Sequence, residues 1–534
     1  MRRPPLARTY QLLAALTAAG LLIAGCSSSG SDAKPNAESV TNGVIGVPDG
    51  DGDPRSGGTI AYAGYSSVNT LDPADRQDGG STGGTEMAAI YDLLVRYDQD
   101  THEYVPQLAK SLTANGDNSV WTLTLRDGAT FSDGTSVDAD AVIWSIERYL
   151  QKKGTHAQVW AVSVDSMSST GPSTVQFTLK RPWAQFPALF TSGPGMIVAP
   201  SAMASGEFQP VGAGPFTLQK HTPQEELSLT ARKDYWGGTP YLDTLTFPAI
   251  VSEQTRLDSL HSGNIQAAYI RNPKNVRAAE NAGDPGAVYT VNIGGTMIIN
   301  NREGRPGEDE RVRQALVAAF DPEAFNQRVQ GGDGLPSSYL FGPESRWHDD
   351  QVAAAGYDPE KAKSLLEAAK ADGFDGKLNY VGMNDPETKD SALAVQAMLN
   401  SVGFDVQITY TTSIADLVKT LYAQHDYDIS YSGFNVLDDS PFVRLYGNLH
   451  SQSGSNVLGY SNPAMDALLE QVQTATDDDN LRTVLADIQT LVDETAPMAV
   501  SAPYRFIMPF TENVRGVQLS SDGILLFDKA WTTE

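Results

Sequence analysis

The 534-residue sequence holds a single cysteine, Cys26. A chain with one thiol cannot close an internal disulfide, so its core must hold together by packing alone. Histidine is scarce too. The seven present show no paired ligand spacing, so neither a built metal centre nor a site for bare nickel is expected. Basic residues are outnumbered, 38 Lys plus Arg against 65 Asp plus Glu, for a formal net charge of −27. That balance lacks the basic footprint of a nucleic-acid binder. It favours solubility and could steer cationic ligands inward. The one apolar run near the start, Leu12 to Ile23, falls short of the roughly 20 residues of a membrane span. No internal repeat is visible.

Two short patterns suggest chemistry and fail on context. Gly79-Gly80-Ser81-Thr82-Gly83 has the spacing of a hydrolase nucleophile elbow, but that elbow needs a strand directly before the serine. Here a polar loop, Asp72 to Asp78, precedes it, and the glycines read as a loop before a helix expected over Glu86 to Val95. Gly212 and Gly214 do not form a phosphate loop, because Pro215 removes an amide donor and no Gly-Lys-Ser/Thr follows.

What is present begins with an export signal over residues 1–25. Arg2, Arg3 and Arg8 precede the apolar run, and Ile23-Ala24-Gly25-Cys26 ends it. The small residues suit an ordinary signal-peptide cut. Together with Cys26 they resemble a bacterial lipobox, which would make Cys26 the lipid-modified mature N-terminus. Losing this segment removes three arginines and no acid, which takes the net charge from −27 to −30. Residues 26–56, rich in Ser, Gly, Asp and Pro, bury too little to offset their ordering entropy and read as a flexible tether. Asp49, Asp51 and Asp53 alternate as in a calcium loop, but Pro54 and Ile60 stand where that loop needs Gly and Glu.

The most informative stretch runs from Pro106 to Arg148. Trp121, Leu123 and Leu125 alternate with Thr122, Thr124 and Arg126, the period of a half-buried strand. Asp127-Gly128 and Asp133-Gly134 supply turns. Asp138 or Asp140 can then cap a helix whose apolar positions are Val142, Ile146 and Tyr149. None of these residues is a nucleophile or a metal ligand.

The order of the block is its signature. Leu108-Ala109, Trp121-Thr122-Leu123, Leu125-Arg126, Gly128, Phe131, Asp133-Gly134, Asp140 and Ser145 to Arg148 resemble, in register, the pattern of the extracellular solute-binding proteins that feed peptide and nickel ABC importers. Further stretches fit the same family. They are Pro210 to Phe216, Arg232 to Gly238, Asp309 to Asp321, Tyr357 to Ala362 and Tyr460 to Asp466. Arg311 and Arg313 in the third of these read as helix-end ion pairs rather than a carboxylate site.

The resemblance implies an α/β, two-lobed periplasmic-binding-protein-like fold with an extra subdomain inserted in the first lobe. Lobe I would comprise 57–295 plus 505–534, with the subdomain at about 85–195, and lobe II would comprise 296–504. It implies a monomeric, lipid-anchored receptor on the outer face of the cell membrane. That receptor would close around a peptide and deliver it to ABC permease subunits, without cofactor or catalysis. A nickel chelate, an oligosaccharide or another small solute is the alternative ligand, and a surface-anchored hydrolase or a lipoprotein adhesin the reading from another class. The candidate ligand contacts are Tyr65, Ser66, Gly433, Phe434, Asn435, Asp438 and Tyr504. In peptide-binding relatives the segment around Gly433 pairs with the ligand main chain, and an Asp four residues before the proline holds its amine. That position is Leu437 here, and Asp438, one residue on, is the candidate replacement.

Overall fold

The computed structural model describes residues 42–47, 52–75 and 79–533. Cys26, the export segment and most of the expected tether lie outside the described residues.

The alternating strand is Val120–Leu125, with Trp121, Leu123 and Leu125 buried and the residues between them half-exposed. It pairs antiparallel with Thr174–Leu179, which sets Trp121 opposite Phe177 and Leu123 opposite Val175. Ala109–Ala114 and Val164–Gly171 complete a four-stranded sheet. The helix Ala139–Gln151 buries Val142, Ile146 and Tyr149, and its cap is Asp138, whose carboxylate accepts from the Ala141 amide at 2.8 Å. Aromatic rings fill the space below. Phe186 lies 5.1 Å from Phe190 and 5.5 Å from Phe177, centroid to centroid. Each such pair adds about 0.5–1.5 kcal/mol beyond its buried area. This subdomain shares its apolar core with Phe442, Leu445, Leu469, Leu485 and Ile488, residues from late in the chain.

The first lobe is built on a five-stranded sheet in the order Ala267–Ala268, Thr59–Ala63, Thr244–Pro248, Glu226–Ala231, Phe216–Thr222. Ile60 and Tyr62 point into its core, where Val514, Leu519, Ile524 and Phe527 from the C-terminal segment also pack. Ser81 lies in a short 3-10 turn, Gly80–Thr82, and among the described residues no strand leads into it. The following helix is Gly84–Tyr91 and ends earlier than expected. Asp92 takes a positive φ of 60°, and its carboxylate accepts from the Leu93 amide, Tyr235 Oη and Trp236 Nε1 at 2.7–2.8 Å.

The second lobe carries the order Gly43–Ile45, Gly286–Ile299, Ile429–Ser432, Lys377–Met383, Asp405–Thr411, with Met498–Pro509 also paired to Gly286–Ile299. Arg311 and Arg313 brace its helix Glu310–Ala319. Arg311 pairs with Asp309 and Asp372 at 2.7 and 2.5 Å, and Arg313 donates to the carbonyls of Thr495 and Gly307 at 2.9 Å.

The strands Gly286–Ile299 and Met498–Pro509 run from one core into the other. Ala287, Tyr289, Val291, Phe506 and Met508 belong to the first core, whereas Met297, Ile299 and Ala499 belong to the second. Their pairing is continuous through Val291 opposite Tyr504 and resumes at Gly295 opposite Ala502. Between these points Asn292, Ile293 and Gly294 face Pro503 alone, and Ile293 adopts a φ of 51°. Positive φ is strained for a β-branched residue. Within the stretch expected to form the tether, Gly43–Ile45 pairs with Gly286–Val288, and Asn42 Oδ1 accepts from the Thr290 amide at 2.9 Å. An otherwise open strand edge supplies the partner.

Candidate ligand-binding cleft

Three neighbouring strands of the second lobe, Ile429–Ser432, Lys377–Met383 and Asp405–Thr411, run parallel and end on the same edge. Each end carries a segment toward the first lobe. After Met383 the chain enters the helix Pro386–Ser401, capped by Asp385, and Glu387 in its first turn lies 3.8 Å from Arg271 of the first lobe. After Ser432 comes Gly433–Leu437, and Leu437 packs on the first-lobe core.

On the first-lobe side the Arg271 guanidinium sits 4.4 Å over the Tyr65 ring. Such a contact contributes about 0.5–1 kcal/mol at an exposed site. Tyr65 leans on Tyr269 at 6.0 Å, and Tyr269 Oη shares a 2.9 Å hydrogen bond with Tyr289 Oη. Tyr504, on the crossing strand, meets Phe506 edge-on at 6.4 Å, and burial raises the pKa of its phenol. Across from it, Tyr431 Oη bonds Ser501 Oγ at 2.6 Å. A small cavity of about 30 Å³ opens beside Arg271, Gln330, Tyr504 and Arg505. Arg444, flanked by Phe442 and Leu445 of the subdomain's core, approaches Asp522 at 3.9 Å.

The candidate residues separate in this frame. Tyr65 and Tyr504 are half-buried at the junction, and Ser66 and Asn435 are exposed. Phe434 points into the core with 4% exposure, so its ring is committed to packing. The backbone of this segment closes the gap in the crossing ladder. Phe434 N donates to the Ile293 carbonyl at 2.9 Å, and Asn292 and Val436 exchange amide bonds at 2.8 and 2.9 Å. Gly433 is pressed against the Gly294 carbonyl oxygen, where a Cβ would have no room.

Asp438 is a tie between segments. Its carboxylate accepts from Asn292 Nδ2 at 2.8 Å, Ser345 Oγ at 2.5 Å and the Arg346 amide at 3.1 Å. Burial nevertheless raises its pKa, outweighing those donors. Asp439 is more deeply buried. Its Oδ1 accepts from Ser440 Oγ at 3.0 Å. Its carbonyl takes the Tyr104 hydroxyl of the subdomain at 2.5 Å. Burial pushes its carboxyl up to about 6.

That shift gives a signed expectation. A carboxyl whose folded pKa is raised contributes stability at low pH and loses it as pH climbs from about 4 through 6. Asp439→Asn should remove this slope and stabilise the protein above pH 6, by at most about 3 kcal/mol. Urea midpoints of both proteins at pH 4, 5, 6 and 7 check it, and parallel profiles would count against it.

Arg271, Glu387, Arg444 and Asp522 were not picked out from the sequence. For Glu387 a partial signal existed, since Asp385-Pro386 announces a helix start. No periodicity marks Arg271. Among the described residues no group of three or more His, Cys, Asp or Glu could hold a metal ion.

Known proteins are similar to this chain in architecture and in sequence. Residues 103–456 match the family model described as bacterial extracellular solute-binding proteins, family 5 Middle. The chain is 26% identical over 491 residues to the dipeptide-binding protein of Escherichia coli K12, covering 86% of this chain and 91% of that one. It is 27% identical over 369 residues to the nickel-binding periplasmic protein of the same organism, covering 63% and 68%. In fold it is similar to the ABC transporter-associated periplasmic binding protein DppA from Helicobacter pylori in complex with peptide STSA. That likeness has a TM-score of 0.74 at 23% identity, covering 90% and 99% of the two chains. With its paired crossing strands and a family match over most of its length, the chain belongs to the family 5 bacterial extracellular solute-binding proteins.

Proposed function

We propose that this protein is a lipid-anchored receptor that captures peptides between its lobes and hands them to an ABC permease. The observation that carries the reading is the pair of crossing strands. It runs from the first-lobe core into that of the second lobe and carries Tyr504, which lines a cavity with Arg271, next to Tyr65 and Glu387. The similarity to a dipeptide-binding protein supplies the ligand class. Tyr65, Ser66, Asn435 and Tyr504 would touch the ligand, and Gly433, Phe434 and Asp438 would hold the wall of the cleft in place. Asp438 already carries three protein donors, so the ligand amine would be met elsewhere in the cleft.

Mass spectrometry of small molecules released from the purified protein tests the ligand class, with short peptides as the expected result. A nickel chelate or an oligosaccharide in their place would overturn the peptide assignment and keep the receptor. Cys26→Ala tests the anchor. The variant should appear in the soluble extracytoplasmic fraction with unchanged ligand affinity, and retention in the membrane fraction would refute lipidation at Cys26.

A further inference from the structure

Three large apolar side chains stand exposed in a row on the second lobe. Ile414, Val418 and Tyr422 are 67%, 49% and 40% exposed. They are spaced four residues apart along the helix Ile414–Val418 and the π-helical turn Lys419–Gln424 that continues it. Spacing by about one turn places them on one face. The adjoining face is anchored, because Leu421 is buried and Leu417 packs against the core. The segment is therefore held firmly while its apolar row faces no described partner. π-Helical turns also concentrate at functional sites, since their looser hydrogen bonding needs a compensating reason.

The location of the row gives that reason. The segment leaves the carboxyl end of the strand Asp405–Thr411, with Ser413 capping its helix. The carboxyl ends of the two neighbouring parallel strands lead to Glu387, near Arg271, and to Leu437, packed on the first-lobe core. This edge thus borders the gap between the lobes. In open α/β sheets the crevice beyond the carboxyl ends of the strands is where ligands sit. Tyr422 lies near Arg444, which pairs with Asp522 at 3.9 Å. The row therefore shares its edge with the interlobe ion pair Arg271–Glu387. Charge of both signs beside an apolar row complements a zwitterionic main chain carrying an apolar side chain.

The geometry points to Ile414, Val418 and Tyr422 as the seat of one bulky apolar side chain of the captured peptide. This rests on the peptide reading above and adds a selectivity to it. Burying a leucine side chain is worth about 1.5–3 kcal/mol, which is roughly ten- to a hundredfold in affinity.

The test titrates Ala-Leu-Ala and Ala-Ser-Ala into the mature protein and into the double variant Val418→Ser, Tyr422→Ser. All three positions are exposed, so the variant should fold, and its thermal transition verifies this. Wild type should prefer Ala-Leu-Ala by about tenfold or more. The variant should lose that preference and keep its affinity for Ala-Ser-Ala. An unchanged preference, or equal loss for both peptides, overturns the seat. If neither peptide binds wild type, the peptide reading falls by itself, and the row is then judged with anilinonaphthalene sulfonate. Dye fluorescence present in wild type and lost in the variant would retain the row as an apolar receptor, and equal fluorescence in the two would overturn it.

Discussion

Gly433→Ala is expected to destabilise the protein by roughly 3 kcal/mol or more, whereas Gly447→Ala should leave it unchanged or slightly more stable. The contrast isolates one contact. A methyl at Gly433 would overlap the Gly294 carbonyl oxygen, and a backbone atom cannot swing away as the end of a long side chain can. Moving it would disturb hydrogen bonds that bridge the gap in the crossing ladder, among them those of Phe434 and Val436 to Ile293 and Asn292. Gly447, inside the helix Pro441–Leu449, has open space where its Cβ would go. Alanine there gains about 0.5–1 kcal/mol from lower chain entropy in the unfolded state. Urea unfolding of the two variants against wild type gives both numbers. Equal midpoints for Gly433→Ala and wild type would show that the close approach carries no stability.

Saturating peptide should compact the protein and raise its stability together. Ligand held between two lobes binds the folded state alone, and at about 100 times the dissociation constant mass action adds roughly 2.7 kcal/mol. The expected signature is a smaller radius of gyration in solution scattering alongside a higher melting temperature. Stoichiometric binding with the radius unchanged would place the ligand on one lobe and remove closure from the account. The lobe limits proposed from the sequence, 57–295 with 505–534 and 296–504, are best probed in the same experiment, by labels placed on either side of Asn292–Gly294.

The family was legible because its signature is made of scaffold residues whose local physics is strong. The alternation of Trp121, Leu123 and Leu125 fixes a strand with one dry face, and Asp138 stands where a helix needs a cap. These are short-range demands, readable in a window of a few residues. The cleft was less legible because its residues answer to distant partners. Phe434 looked like a ligand contact and is buried by the core behind it. Asp438 looked like a displaced anchor, but Asn292 and Ser345, far away in sequence, claim its carboxylate. Arg271 has no local mark at all, and its position follows from Tyr65 beneath it and Glu387 opposite. The row from Ile414 to Tyr422 is periodic in the sequence, but only the fold tells which face stays uncovered.

The interrupted ladder has a mechanical meaning. On either side of Asn292–Gly294 the crossing strands are bonded to each other, so neither can slide along its neighbour. Stretching is resisted by the covalent chain and shear by the paired segments, and any bend at these three residues has to carry the Gly433–Leu437 segment bonded to them. If the lobes close on ligand as proposed, a connection of this kind would turn the occupancy of the cleft into an angle between them, with almost no change in the distance between their attachment points. Any partner that rests on both lobes at once would therefore sense the tilt of one face against the other, as a protractor does, and could distinguish the empty from the loaded protein without touching the ligand.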